Sequence, residues 1–434
     1  MQCLISFDGL SSADLVALFN LLPESKSFYE SGDFHVLANR LLTQPQPIWA
    51  EILTGTPWYE NGCSAYSRPT GSLNKLEVVT EKDLLTRAKL LDEKNGGHVV
   101  SINLPLVKPK PPGRLWLSDG SLPMNRQVSP PSLLKDEPVK SYAARPYTDV
   151  GEALVSPLAS ARSSMQVEKK RIECALYLLK NFPCQRFILR LTVFDSLSHL
   201  FGLNYLQTEN LVVYKELVEF LACLDAAISE IIAAFGREVI LLSGYSHQPC
   251  KSTVSLNSIL EQAGLLQNTR QLDEVQKQRV HAATSIWGFE PVSQILSSYE
   301  GQIDAKTSIA ASSSYGCVYI NRSDVFENGS VTPASYEEKR TAVRQVLQKT
   351  LLSRFGDSML IEEAPPESMR IAAPIPEFIL NINGVEFYNI RNANLGEFDV
   401  PRTTHSSSGF LVAPKGRLSK GESVKLIEIT ELFE

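Results

Sequence analysis

The sequence predicts an α/β protein with a mainly parallel central sheet and helices on both faces, and three observations carry that expectation. Short apolar runs of strand character alternate with longer helical stripes along the chain. Some of these runs end at an acidic residue or polar turn, and the first leads directly into helix-start chemistry, which is where open α/β sheets put their sites. No fixed-period repeat competes with this pattern.

The first unit is the run 3–7, which stops at Asp8-Gly9-Leu10. Ser11, Ser12 and Asp14 then supply N-terminal capping chemistry, and Leu15, Leu18, Leu21 and Leu22 form a helical stripe. Residues 50–53, closed by Thr54-Gly55, read as a second strand-like unit. Residues 98–104 form a third strand and end in a Pro-rich stretch, 105–113. From there to residue 164 the chain is rich in Pro and Ser with little periodicity. The chain is therefore divided into a core, 1–104 with 165–434, and a loop-rich cap or insertion, 105–164. That insertion offers Trp116, Leu117, Leu133, Leu134, Tyr142 and Tyr147 for packing.

Regular structure resumes with a charged helix over 165–179 and a strand over 186–193 that runs into Phe194-Asp195. A long helix over 210–235 precedes a strand over 238–242 and a loop over 243–249. A helix over 256–262 ends at Gly264, and residues 267–307 are polar and helical in character. A strand over 316–321, a helix over 335–351, a strand over 377–382 with an Asn383-Gly384 turn, and a strand over 410–413 complete the pattern.

At 434 residues the chain suits one large α/β domain with a subdomain. Its formal charge of −6, from 42 basic and 48 acidic residues, gives no footprint for duplex nucleic acid. A small phosphate ester stays open, because a bound metal reverses the local field. Seven scattered cysteines with no C-x-x-C pair point to reduced thiols in a cytoplasmic protein rather than to a disulfide framework. The apolar start meets Asp8 too early for a signal segment, and no run approaches the length of a membrane span. Neither a P-loop nor a G-x-S-x-G elbow occurs.

The candidate chemistry is made of Asp and His at strand ends. Asp8 ends the first strand. Asp195 and His199 are spaced i, i+4 and share a face if Ser196 begins a helical turn. His405 stands in the polar loop 402–408, directly before a strand. Carboxylate with imidazole is a ligand set for Zn²⁺ and, less selectively, for Mn²⁺ or Fe²⁺. Each residue also has a plain structural reading, the Asp as a helix cap and the His as a hydrogen-bonded polar group.

Several segments recur in a telling order. They are Phe7-Asp8-Gly9-Leu10, the segment 47–55 ending in Thr54-Gly55, then 57–62, and Asp195-Ser-Leu-Ser-His199. Leu242-Ser243-Gly244-Tyr245-Ser246, Asn257-Ser258-Ile259-Leu260 with Gly264-Leu265-Leu266, the strand 315–321, and His405 to Gly409 follow. In this order they resemble the type I phosphodiesterase/nucleotide pyrophosphatase family of the alkaline phosphatase superfamily. The resemblance implies an alkaline phosphatase-like fold and two metal sites. One site would use Asp195, His199 and His405. The other would use Asp8 and an Asp-His pair, but Gly244 and Tyr245 stand at those positions. The family's nucleophile falls on Pro45, and the His of its Pro…His-Gly segment on Asn61.

Proline has no hydroxyl to attack phosphorus, and glycine offers no ligand atom. A phenol, with a reference pKa of about 10, substitutes poorly for imidazole near neutrality. His247 and Thr43, each two residues from a lost position, are the candidate replacements as ligand and nucleophile. The expected function is a metal-dependent phosphodiesterase or nucleotide pyrophosphatase-like hydrolase with one retained zinc site. Its substrate would be a small phosphorylated molecule or nucleotide, with Trp116 or Tyr142 available for base stacking. The alternative is an inactive pseudoenzyme that binds a phosphorylated ligand or a protein partner. A third reading is a single-metal transfer or lyase step.

Overall fold

The structure, a computed structural model, describes residues 2–38, 41–80, 84, 98–106, 114–118, 128–142, 156–208, 212–268, 303–356, 359–370, 374–388, 403–418 and 423–433. Its main sheet has eight strands. These are β1 (Gln2–Phe7), β2 (Asp33–Leu37), β5 (Val99–Leu104), β6 (Arg114–Ser118), β7 (Val128–Ser129), β8 (Arg186–Leu191), β9 (Val239–Ser243) and β18 (Gly409–Ala413). Their order across the sheet is β2-β18-β9-β1-β8-β5-β6-β7. The five central strands, from β9 to β6, are parallel, while β18, β2 and β7 run antiparallel to their neighbours.

Period-two alternation sends side chains to two different cores. Cys3, Ile5 and Phe7 of β1 face one side, together with Phe187, Leu189 and Leu241. There they meet α1 (Ser12–Asn20), α5 (Pro157–Asn181), α6 (Val193–Phe201) and α7 (Tyr214–Phe235). Leu4, Ile188, Ile240 and Leu242 face the other side and meet α3 (Pro45–Thr54). Burial on both faces explains why these strands read as continuous apolar runs.

The second core continues under a four-stranded antiparallel sheet. It comprises β12 (Ala310–Ser314), β13 (Cys317–Ile320), β15 (Phe378–Ile382) and β14 (Met359–Glu363) in that order. Two helices, α8 (Leu256–Gln262) and α9 (Tyr336–Phe355), pack on it through Leu256, Leu260, Val343, Leu347 and Leu351. Three two-stranded pairs remain, namely β3 (Ser67–Thr70) with β4 (Ser72–Val78), β11 (Ser252–Ser255) with β16 (Val385–Tyr388), and β10 (Ser246–Pro249) with β17 (Thr403–Ser406). Short helices α2 (Lys26–Ser31) and α4 (Trp58–Asn61) complete the elements that matter here. Among the described residues, no helix is long and apolar enough to cross a membrane.

The mainly parallel sheet between helical layers is the expected architecture, with differences in detail. Residues 50–53 are helical, not extended. Pro45 opens α3 at its first turn, where its missing N–H costs nothing, and Gly55 closes it at φ +66° with its N–H on the Glu51 carbonyl. Residues 47–50 and 52–54 are all buried, so the apolar run carried no clear period. Within the expected insertion 105–164, β6 and β7 pair onto an edge of the main sheet. The charged helix begins there too, at Pro157, capped by the Ser156 side chain. The loop 243–249 contains β10. Most of the polar stretch 267–307 lies outside the described residues. Trp116 is buried in β6, and the Tyr142 hydroxyl donates to the Ser118 carbonyl.

Candidate metal centre

The site is assembled from three stretches of chain. The first is β8 and the helix α6 that follows it. At the start of α6 the backbone N–H groups of Thr192 and Val193 both donate to Glu168, at 2.9 Å each. Glu168 is itself paired with Arg171 at 3.1 Å, and both side chains are buried. This carboxylate satisfies donors that a helix start leaves open. The helix then carries Asp195 in its first turn and His199 one turn later.

The end of β1 lies directly against this helix. Gly9 has φ +88°, and a Cβ there would fall 2.7 Å from the Asp195 Cα, so only glycine permits the approach. The second and third stretches meet in the ribbon of β10 and β17. His247 and His405 are directly opposite in this antiparallel pair, so both side chains project from the same face.

The polar atoms converge closely. Asp195 Oδ1 lies 3.0 Å from His247 Nε2 and 3.1 Å from His405 Nε2. The Tyr245 hydroxyl donates to the same oxygen at 3.2 Å. His199 Nε2 lies 3.1 Å from His405 Nε2 and 3.9 Å from Asp195 Oδ1. One donor atom from each of Asp195, His199, His247 and His405 lies within 4.8 Å of all the others. The His199 side chain is 30% exposed and that of Asp195 22%, so the group opens to solvent on that side.

The hydrogen bonds around His247 fix its tautomer. The Thr403 hydroxyl donates to the Ser198 carbonyl at 3.1 Å. Its oxygen therefore accepts from His247 Nδ1, 3.2 Å away, which leaves Nε2 with a lone pair. Burial, partly offset by Asp195, lowers the pKa of His247 and favours this neutral ring. That lone pair and a carboxylate oxygen 3.0 Å away are both aimed as ligand atoms toward one position. Burial alone would raise the Asp195 carboxyl. The imidazoles of His247, His405 and His199 gathered around it reverse this and hold it well below the usual carboxylate range. Burial and the negative charges of Asp195 and Asp8 push Tyr245 well up, so it remains a phenol and a donor.

These donors fit a single zinc-like ion. Bonds of about 2.0–2.1 Å in a tetrahedron set ligand atoms roughly 3.3 Å apart; four of the six pairwise separations run from 3.0 to 3.9 Å, and none exceeds 4.8 Å. Three imidazoles and one carboxylate suit zinc better than magnesium or calcium. His247 stood two residues beyond the family's ligand position. It reaches the site from β10, and Tyr245, just before that strand, reaches the same Asp195 oxygen.

Asp8 lies at the carboxyl end of β1 and outside this group of four. Its Oδ2 accepts from Arg190 Nε at 2.6 Å and from Trp49 Nε1 at 3.1 Å, and its Oδ1 accepts from Ser6 Oγ at 2.5 Å. A Cβ on Gly244 would lie 2.3 Å from Ile48 Cγ2, so α3 fills the space that a side chain at 244 would need. Pro45 is the first residue of α3. Asn61 holds a turn, donating to the Thr56 carbonyl and accepting from the Cys63 N–H. No hydrogen bond among the described residues joins Thr43 to the four-donor group.

Solved structures share this architecture over nearly the whole chain. Phosphonoacetate hydrolase from Sinorhizobium meliloti, in complex with phosphonoformate, matches at 12% identity over 100% of this chain and 94% of that one, with a TM-score of 0.62. Human ectonucleotide pyrophosphatase/phosphodiesterase 5 matches at 11% identity over 100% and 93%, with a TM-score of 0.51. An inactive form of the murine protein in complex with AMP matches at 12% over 99% and 93%, also at 0.51. No family model and no curated protein matches the sequence. At these identities the likeness is one of fold, and the fold is the alkaline phosphatase-like one.

Proposed function

We propose that this chain is a single-metal phosphoester hydrolase of the alkaline phosphatase-like fold, acting on a small phosphorylated substrate or nucleotide without a covalent phospho-enzyme. The observation that supports it best is the convergence of Asp195, His199, His247 and His405 at the carboxyl ends of the central parallel strands. A divalent ion held by these residues, zinc by the character of the donors, supplies Lewis-acid polarisation of a phosphoryl oxygen.

The chain's own residues prepare that position. Thr403 fixes His247 with its Nε2 lone pair inward, and Tyr245 donates to the carboxylate of Asp195. Asp195 stays ionised across the physiological range. The solvent opening beside His199 gives a ligand its approach. Proline at 45 offers no hydroxyl, which is why no covalent step to that position is part of the reading. A cytoplasmic setting fits seven cysteines that form no disulfide among the described residues.

A second reading, a non-hydrolysing protein that binds a phosphorylated ligand, is favoured by the fourth protein donor. Sites closed by four protein ligands are mostly structural, whereas catalytic zinc keeps a position open. Metal analysis and turnover separate the two. The hydrolase reading expects one zinc per purified chain and hydrolysis of bis-p-nitrophenyl phosphate that disappears in His199→Ala. Stoichiometric zinc without turnover selects the binder, and a chain that takes up no metal removes both.

A further inference from the structure

We infer that the guanidinium of Arg190 takes the place of a second metal ion, so that this site holds one divalent cation and one permanently tethered organic cation. The resemblance to two-metal phosphodiesterases assigns Asp8 to a second ion, and the residues around Asp8 do not fit one. The carboxylate is 1% exposed and already has three donors. Oδ2 takes the Arg190 Nε at 2.6 Å and the Trp49 indole N–H at 3.1 Å, while Oδ1 takes the Ser6 hydroxyl at 2.5 Å. The other positions that would complete a ligand shell give nothing. Position 244 has no side chain, Ile48 occupies the space beside it, and position 45 is proline.

Arg190 reaches this place through strand register. It sits on β8 directly beside Ser6 of β1, so its side chain runs along the sheet toward the strand ends where Asp8 stands. The arginine is held from several sides. Its NH1 donates to the Asn103 carbonyl at 3.4 Å, the Asn103 amide donates back to the Arg190 carbonyl at 2.8 Å, and the guanidinium lies 5.9 Å from the Trp49 ring centre. A guanidinium does not lose its proton in a protein. The positive charge at Asp8 is therefore independent of metal supply and of chelators. A divalent ion on the same carboxylate would have to share it with a fixed like charge at contact distance.

This inference rests on the single-metal reading for its stoichiometry and on the Asp8–Arg190 geometry for its substance, and the test separates the two. Zinc content and affinity are measured for the full chain, for Asp8→Asn and for His199→Ala. The expected result is that Asp8→Asn keeps the wild-type zinc content and affinity, while His199→Ala loses affinity by roughly tenfold or more. Two ions in the wild type with one in Asp8→Asn, or loss of the bound ion on Asp8→Asn alone, overturns the inference. A second arm works in EDTA. Arg190→Met is expected to lower the unfolding temperature, and adding Asp8→Asn to the same chain is expected to recover most of the loss. Simple addition of the two losses also overturns it. A wild type that binds no zinc sinks the reading of the four-donor group, and the coupling in EDTA then decides the Arg190 inference by itself.

Discussion

Replacing Gly9 with alanine tests how the end of β1 supports the metal centre. Gly9 has φ +88°, and the added Cβ would sit 2.7 Å from the Asp195 Cα, 2.9 Å from its Cβ and 3.0 Å from its N. The three nearest atoms include two of the α6 backbone, so no side-chain rotation relieves the overlap. An alanine forced into the left-handed region costs about 1–2 kcal/mol. Overpacking against a fixed element adds about 1–3 kcal/mol. Their sum, about 2–5 kcal/mol, is a large share of the roughly 5–15 kcal/mol by which a domain is stable. Any relief moves α6 away from β1 and takes Asp195 with it, so zinc affinity is expected to fall by roughly tenfold or more. Urea unfolding in EDTA reads the first effect, and a zinc competition titration reads the second. An unchanged urea midpoint together with unchanged zinc affinity refutes the reasoning.

Two further perturbations probe the surroundings. Glu168→Gln leaves the buried Arg171 without its counter-charge and weakens the acceptor at the start of α6, and is expected to cost about 3–5 kcal/mol by thermal unfolding; a loss below about 1 kcal/mol counts against a buried pair. Glu51 gives a pH dependence. Desolvation raises its pKa from 4.5 to about 8, against the opposing Trp58 N–H and with help from Glu362. Between those two values the folded state holds a proton that the unfolded state releases. Stability therefore falls as pH rises through that window, by at most on the order of 5 kcal/mol. Glu51→Gln should flatten the profile, and a wild-type stability that rises from pH 5 to pH 8 contradicts the assignment.

The local signals in the sequence carried well into the structure. The capping chemistry at Ser11 and Asp14 forms a reciprocal box, with Ser11 Oγ accepting from the Asp14 N–H at 3.1 Å and the Ser11 N–H donating to Asp14 at 3.2 Å. The Asp-x-x-x-His spacing does lie on one turn of helix, at the carboxyl end of a parallel strand. What the sequence hid is long-range. Nothing local shows that the segment around His247 pairs with one more than 150 residues later, because that ribbon depends on β9 and β18 lying side by side. Arg190 reads as an ordinary charge in the strand Phe-Ile-Leu-Arg-Leu until the register with β1 brings it to Asp8. Residues 50–53 misled because a helix with seven of its ten residues buried shows too little polar face to reveal its period.

The wide spacing of the four donors has a bearing on how the molecule is made. His199 and His405 are separated by 206 residues, and no two donors on different elements are close in sequence. An ion held by such a set would need His247 and His405 brought to the Asp195–His199 turn before its shell could close. Closing loops of this size carries an entropic penalty that grows only slowly with length, so the sheet itself must first draw the ends together. Zinc uptake would then be a late event, and the rate at which it appears during refolding would time the docking of β17 and β18 onto a framework already in place.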